Sequence, residues 1–141
     1  MKCVYIVIYF LVLLHSGVKS QNMEEVANLM TNCLKKYPVS DEEFVRQHAM
    51  DNDLRLASDS YKCFGMCVVQ GRGWFIDDVL IDDAYIKAEG NGILAKRGDQ
   101  LHNFAKECKL LVGANKCDTV FQVTNCMDDK IKELLRLLKL F

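Results

Sequence analysis

Seven cysteines in 141 residues constrain this chain more than any other feature, because a domain this small folds differently around thiols, metal ligands or disulfides. The redox compartment decides among these, and the first twenty residues indicate it. Met1 and Lys2 give a short basic start, Val4 to Leu14 is unbroken apolar chain, and HSGVKS ends with Val18 and Ser20 at small-residue cleavage positions. A membrane-spanning helix needs about 20 apolar residues, so this run is too short for an anchor. Residues 1–20 are therefore expected to be a secretory signal peptide, and residues 21–141 a secreted, extracellular domain. Loss of the leader removes Cys3 and leaves Cys33, Cys63, Cys67, Cys108, Cys117 and Cys126. An even set in an oxidising compartment reads as three disulfides.

Other uses of the cysteines fit less well. There is no CxxC, and His48 and His102 stand in no ligand pattern with the thiols, so neither a metal site nor any cofactor is expected. In SYKCFGMCVVQG, Cys63 and Cys67 lie four apart, which on a helix puts both sulfurs on one face and makes a single turn a double anchor.

Charge and motifs narrow the function classes. The leader carries Lys2 and Lys19 but no acid, so its removal takes the net charge from -1 to about -3 and leaves no basic patch for nucleic acid. GxSxG, HExxH and a Gly-rich phosphate loop are all absent, and no enzyme is expected. The pairs Asp77–Asp78, Asp82–Asp83 and Asp128–Asp129 point to different sides of a helix, as solvated acids or helix-start charges do.

Hydrophobic periodicity fills in an all-helical chain. Met23, Val26, Met30, Cys33, Leu34 and Tyr37 recur at spacings of three and four, a stripe that Glu24 and Glu25 open, Lys35 and Lys36 close, and Pro38 stops. Ser40 with Glu43 predicts a capping box and a second helix to about Met50. A third helix carries Cys63 and Cys67 and ends at Gly71 and Gly73. Residues 75–92 are expected to form a loop and then a short helix closed by Gly90 and Gly92. Leu101, Phe104, Ala105, Cys108, Leu111 and Val112 predict a fifth helix to Gly113, and Asp118 is expected to cap a sixth that runs nearly to the C-terminus. Strand signal is almost absent.

Written with its gaps, C-x29-C-x3-C-x40-C-x8-C-x8-C from Cys33 to Cys126, the cysteine ladder resembles that of the six-cysteine insect odorant-binding proteins, the family that includes the pheromone-binding proteins. The x3 and final x8 gaps are its firmest marks, and the resemblance covers the whole mature chain. It implies an all-α fold of about six helices, stapled by three interlocked disulfides around a buried apolar cavity. Six cysteines alone leave the pairing open; the family pattern of first with third, second with fifth and fourth with sixth implies Cys33–Cys67, Cys63–Cys117 and Cys108–Cys126. The implied function is carriage of small hydrophobic molecules, such as odorants, pheromones or other lipid-like ligands, through aqueous fluid.

The inward positions expected to line such a cavity are Val26, Met30, Met50, Phe64, Val68, Trp74, Tyr85, Phe104, Val120, Val123 and Met127. Thioethers and aromatics suit walls for varied apolar guests, and they suit an ordinary core equally. In residues 127–141, Ile131, Leu134, Leu135, Leu138 and Phe141 share one helical face. That amphipathic segment fits three roles: a seventh helix packed on the body, a surface helix for a membrane or partner, or a segment that covers or enters the cavity as in some family members. A pH switch through His48 or His102 is a further expectation, from an imidazole pKa of about 6.5. The alternative function is a secreted helical signalling or interaction protein that recognises a protein partner. A membrane receptor and a homodimer are the remaining partner expectations, and the fold does not fix the tissue.

Overall fold

A computed structural model describes residues 23–47, 57–90 and 92–138, which form six α-helices and one short hairpin. Helix α1 spans Met23–Lys36, with Glu24 and Glu25 in its first turn and Lys35 and Lys36 in its last, so both ends complement the helix dipole. Cys33 is its buried anchor. Helix α2 spans Asp41–Gln47, and Ser40 Oγ accepts the Glu43 amide at 3.2 Å as the spacing predicts. The other half of the expected capping box is absent. The Glu43 carboxylate instead accepts from the Ser58 amide and hydroxyl, at 2.8 and 2.7 Å, and so orients the residue that caps helix α3, Asp59–Gly71.

Helix α3 ends in a six-to-one, five-to-two hydrogen-bond pair. The Trp74 amide donates to Val69 O at 3.0 Å and the Gly73 amide to Gln70 O at 2.9 Å, with Gly73 at φ +75, a conformation open to glycine because it lacks Cβ. Sequence reading expected a loop next. The chain instead forms β1 (Phe75–Ile76) and β2 (Val79–Leu80), antiparallel, with Phe75 opposite Leu80 and Ile76 opposite Val79. Asp77 makes the turn at φ 55, in the left-handed region that aspartate tolerates better than most side chains. Gln70 Nε2 donates to Asp77 O at 2.6 Å, and Lys116 pairs with the Asp77 carboxylate at 3.0 Å, so the strained turn is held from two sides.

Helix α4 spans Asp82–Glu89, and a 3-10 turn at Gly92–Lys96 leads into α5, Gly98–Cys108. The expected continuation of α5 to Gly113 does not occur. Lys109 is already the C-cap, and Leu110 and Val112 project into solvent at 81% exposure each. The chain needs those residues as a link. Gly113 packs so tightly on the next helix that a Cβ there would sit 2.5 Å from Asp118 Oδ2 and 2.6 Å from Thr119 N.

Helix α6, Lys116–Leu137, is capped by Asn115, whose side chain accepts the Asp118 amide at 3.0 Å. Asp118, expected as the cap, is a first-turn acid instead. It accepts from the Ala114 amide at 2.9 Å, from Gln122 at 3.0 Å and from Lys62 at 2.7 Å, and the Lys62 hydrogen bond leads in holding its carboxyl below the usual range.

Helix α6 is the spine of the core. Val120, Val123, Met127, Ile131 and Leu134 recur at three and four along its inner face. They meet Leu101 and Ala105 of α5, Tyr85 of α4, Phe75 and Leu80 of the hairpin, and Val69 of α3 in one cluster. The residues after Cys126 thus continue the last helix rather than forming a seventh. Ile131 and Leu134 are buried, and Leu135 and Leu138 pack on the same cluster.

Three disulfides join Cys33 to Cys67, Cys63 to Cys117 and Cys108 to Cys126, the pairing that the cysteine ladder implied. Cys67 ties α3 to α1, Cys63 ties it to α6, and Cys108 ties the end of α5 to the middle of α6. With sequence separations of 34, 54 and 18, each contributes roughly 3–4 kcal/mol by restricting the unfolded chain. No helix among the described residues is long and apolar enough to cross a membrane.

Candidate ligand-binding site

The α3 terminus aims a tryptophan at the interior. The bond from the Trp74 amide to Val69 O folds the chain back, so that Trp74 packs against the core cluster that contains Val69. Its indole meets the Tyr85 ring edge-on, with centroids 5.3 Å apart and planes at 76°. Phe104 borders the same cluster, and Val120, Val123 and Met127 complete it from α6. Six of the expected lining residues therefore converge at one place: Trp74, Tyr85, Phe104, Val120, Val123 and Met127.

The other expected lining residues lie apart from that cluster or beyond the described chain. Phe64 belongs to an aromatic group, 5.3 Å from Phe44 in an edge-on contact, with Tyr61 bridging Phe44 to Phe121. Val26 and Met30 of α1 and Val68 of α3 are half-buried outside the main core cluster. Met50 falls outside the described residues, as does His48.

Polar groups gather at one end of the Trp74 cluster, and sequence reading missed them. The Arg72 guanidinium lies over the Trp74 ring, 4.1 Å from its centroid. Its Nε is buried without a hydrogen-bond partner. Burial holds the Arg72 pKa below its ordinary value, against the opposing pull of the Glu89 charge. Glu89, in the last turn of α4, is pushed up by burial and drawn down by Arg72. One turn earlier on α4, the Tyr85 hydroxyl donates to Asp128 Oδ1 at 3.4 Å, a long contact. Burial raises the Tyr85 hydroxyl, with Asp128 and Glu89 adding to the effect.

Asp128 is a further carboxylate near this end of the cluster, and Lys132 and Glu89 act on it in opposite directions. Its carboxyl is raised to about 6, first by surrounding protein, yet its side chain is accessible. The only sequence signals were the charges in QGRGW, KAEG and MDDK, each of which reads locally as surface.

Two concavities lie on the outside of the described residues. One of about 560 Å³ is lined by Gly92, Ile93, Lys96 and Arg97, and one of about 370 Å³ by Val79 to Asp83, His102 and Lys109. Both are open grooves rather than enclosed chambers. The second contains the ion-pair geometry His102 Nε2 to Asp83 Oδ1 at 3.6 Å, at the surface. Among the described residues, no group of three or more His, Cys, Asp or Glu side chains could hold a metal ion.

Comparison with known proteins agrees with this architecture. The sequence profile of the PBP/GOBP family matches residues 15–130. A solved structure titled fatty acid binding protein OBP56a from the oral disk of the blowfly Phormia regina superposes with a TM-score of 0.65 at 21% identity, covering 83% of this chain and 97% of that one. No curated protein matches the chain significantly.

Proposed function

The chain belongs to the PBP/GOBP family of insect odorant-binding proteins, which are carriers rather than enzymes, and on that premise we propose that it is a secreted carrier holding small hydrophobic molecules beside Trp74. The observation that supports this reading is the convergence of Trp74, Tyr85, Phe104, Val123 and Met127 inside a frame that three disulfides join. Rings and a thioether make an adaptable apolar wall. The bridges restrict how the helices shift around a guest, and an apolar guest seated there gains roughly 25 cal/mol for each Å² it removes from water. The blowfly protein, named for fatty acid binding, supports a long apolar chain as the ligand type.

The mechanism involves no covalent chemistry. A sparingly soluble molecule leaves water, is carried in extracellular fluid and is released at its destination, which in this reading is a membrane receptor. The residue set of the site comprises the six that cluster and, around them, Val26, Met30, Met50, Phe64 and Val68. Displacement of a fluorescent apolar probe from the delipidated, fully oxidised residues 21–141 tests the proposal. Saturable one-site binding, with competition by long-chain molecules, is expected. A folded, three-bridge protein that takes up no probe overturns it.

A second reading has one observation in its favour. Leu110 and Val112 stand 81% exposed between α5 and α6, where a protein partner or a second copy would cover them. Retention of probe binding by a Leu110→Ser, Val112→Ser variant separates this surface from the carrier site.

A further inference from the structure

Basic side chains stand next to one another at two places in residues 21–141, Lys35–Lys36 and Lys96–Arg97. The first pair is in the last turn of α1, and the chain around it is held. The Tyr37 amide donates to Cys33 O at 2.8 Å, Cys33 is bridged to Cys67, and Pro38 follows. The second pair lies where the 3-10 turn meets α5. Lys96 and Arg97 are exposed there and, with Gly92 and Ile93, line the open groove of about 560 Å³. None of the ion pairs among the described residues engages either side chain. Little fixes this stretch. A 3-10 turn has poorer hydrogen-bond geometry than an α-helix. The Arg97 amide donates to Leu94 O at 2.9 Å, and Leu94 is the one buried side chain from Gly92 to Gly98. A Cβ added at Gly92 or Gly98 would meet nothing within 4 Å, so neither glycine is wedged against a neighbour.

We propose that the Arg97–Gly98 peptide bond is a processing site for an endoprotease that reads two consecutive basic side chains, reached by local opening of the 3-10 turn. Such an enzyme takes its substrate as an extended strand, held by main-chain hydrogen bonds with side chains in separate pockets. Folded chain must first unwind, so cleavage follows the free energy of local opening. From Gly92 to Gly98 that opening withdraws Leu94 alone from the core, whereas at Lys36 it unwinds a helix end anchored by a disulfide. Acidic pockets offer Lys96 and Arg97 the charge-assisted hydrogen bonds that they lack in the fold. In the reaction one water adds across the amide: Arg97 gains its oxygen and becomes a carboxylate, and the Gly98 nitrogen leaves as an ammonium. The two products stay joined. Cys33–Cys67 lies wholly before the cut and Cys108–Cys126 wholly after it, so Cys63–Cys117 alone spans it. The nick also touches α5, because the Leu101 amide donates to Arg97 O at 3.0 Å and the new ammonium stands at the positive end of the helix dipole. Both effects loosen the first turn of the helix that carries the fully buried Leu101. The inference concerns the covalent form of the chain and holds independently of the carrier reading.

Digestion of the oxidised residues 21–141 with a kexin-type endoprotease, which cuts after Lys-Arg, tests the proposal. A single unreduced species heavier by one water is expected. Reduction is expected to separate it into chains 21–97 and 98–141, the second with Gly98 as its N-terminus. Arg97→Gln changes an exposed side chain outside the core and is expected to slow the cut about hundredfold. Leu94→Ala is expected to speed it about tenfold, by easing the opening of the turn. Glu43→Ala acts instead on the caps of α2 and α3 and is expected to leave the rate within about twofold. An uncut chain, a first cut after Lys36, or an Arg97→Gln chain cut at the wild-type rate overturns the proposal. Equal acceleration by Leu94→Ala and Glu43→Ala also overturns it, because the cut then proceeds through global unfolding. Should Leu94→Ala fail to fold, the identity of the product chains and the Arg97→Gln rate still decide.

Discussion

The Glu43 carboxylate accepts two hydrogen bonds from Ser58, from its amide at 2.8 Å and its hydroxyl at 2.7 Å, across fifteen positions of chain. Ser58 Oγ in turn accepts the Tyr61 amide at 3.1 Å, so the start of α2 and the start of α3 share one continuous capping chain. Glu43 is only 9% exposed, which makes its removal costly: the Ser58 amide loses its acceptor and the α3 cap loses its orientation. Glu43→Ala is expected to destabilise the fold by about 1.5–3 kcal/mol, and Ser58→Ala by about 1 kcal/mol, read by denaturant unfolding. Equal, negligible effects would show that the caps are dispensable.

Met127 separates packing from surface character on α6. It is fully buried, whereas Leu137, ten residues later, is 71% exposed. Met127→Ala is expected to cost about 2–5 kcal/mol, and Leu137→Ala less than about 0.5 kcal/mol. Thermal unfolding of the two variants gives the comparison.

Asp118 and Asp128 respond to pH with opposite sign. The Asp118 carboxyl lies below its ordinary 3.8, so its contribution to stability is present above that value and is lost as pH falls through its lower folded value. Asp128, raised from 3.8 to about 6, works the other way: its ionised form is disfavoured in the fold, and the penalty is relieved as pH falls from above 6 toward 3.8. Asp128→Asn is therefore expected to raise the melting temperature at pH 7 and to lose that advantage by pH 4. An advantage that stays constant over this range would rule out titration of Asp128 as its source.

Deletion of residues 127–141 is expected to reduce both ligand affinity and stability. The segment is the second half of α6 and carries the buried Ile131 and Leu134, so its loss opens the core as well as the site. Probe binding and circular dichroism on the truncated chain distinguish this from a detachable lid, which would alter affinity and leave helix content nearly intact.

What could be read from the sequence depended on how local each signal was. The cysteine gaps and the three-and-four stripes of α1, α5 and α6 act over one or a few turns, and they gave the helices and, with the family pattern, the bridges. The hairpin escaped because strands of two residues are too short for a period of two to register. Leu111 and Val112 continued the α5 stripe by accident of composition, so the helix seemed to run on past Cys108. At the site, the apolar members were legible because core and lining share a pattern. Arg72, Glu89 and Asp128 come from three separate elements, and nothing in the neighbourhood of any one of them announces the other two.

The placement of the spine at the end of the chain sets an order on assembly. As a polypeptide emerges from its N-terminus, Cys33 and Cys67 are both available early, but Cys63 and Cys108 must wait for Cys117 and Cys126, which arrive on the last helix. Until then α3, α4 and α5 have no α6 surface to cover, and their apolar faces are exposed to one another and to neighbouring chains. The interval between synthesis of Cys67 and of Cys126 is thus the window in which a mispaired thiol or an aggregate forms most readily.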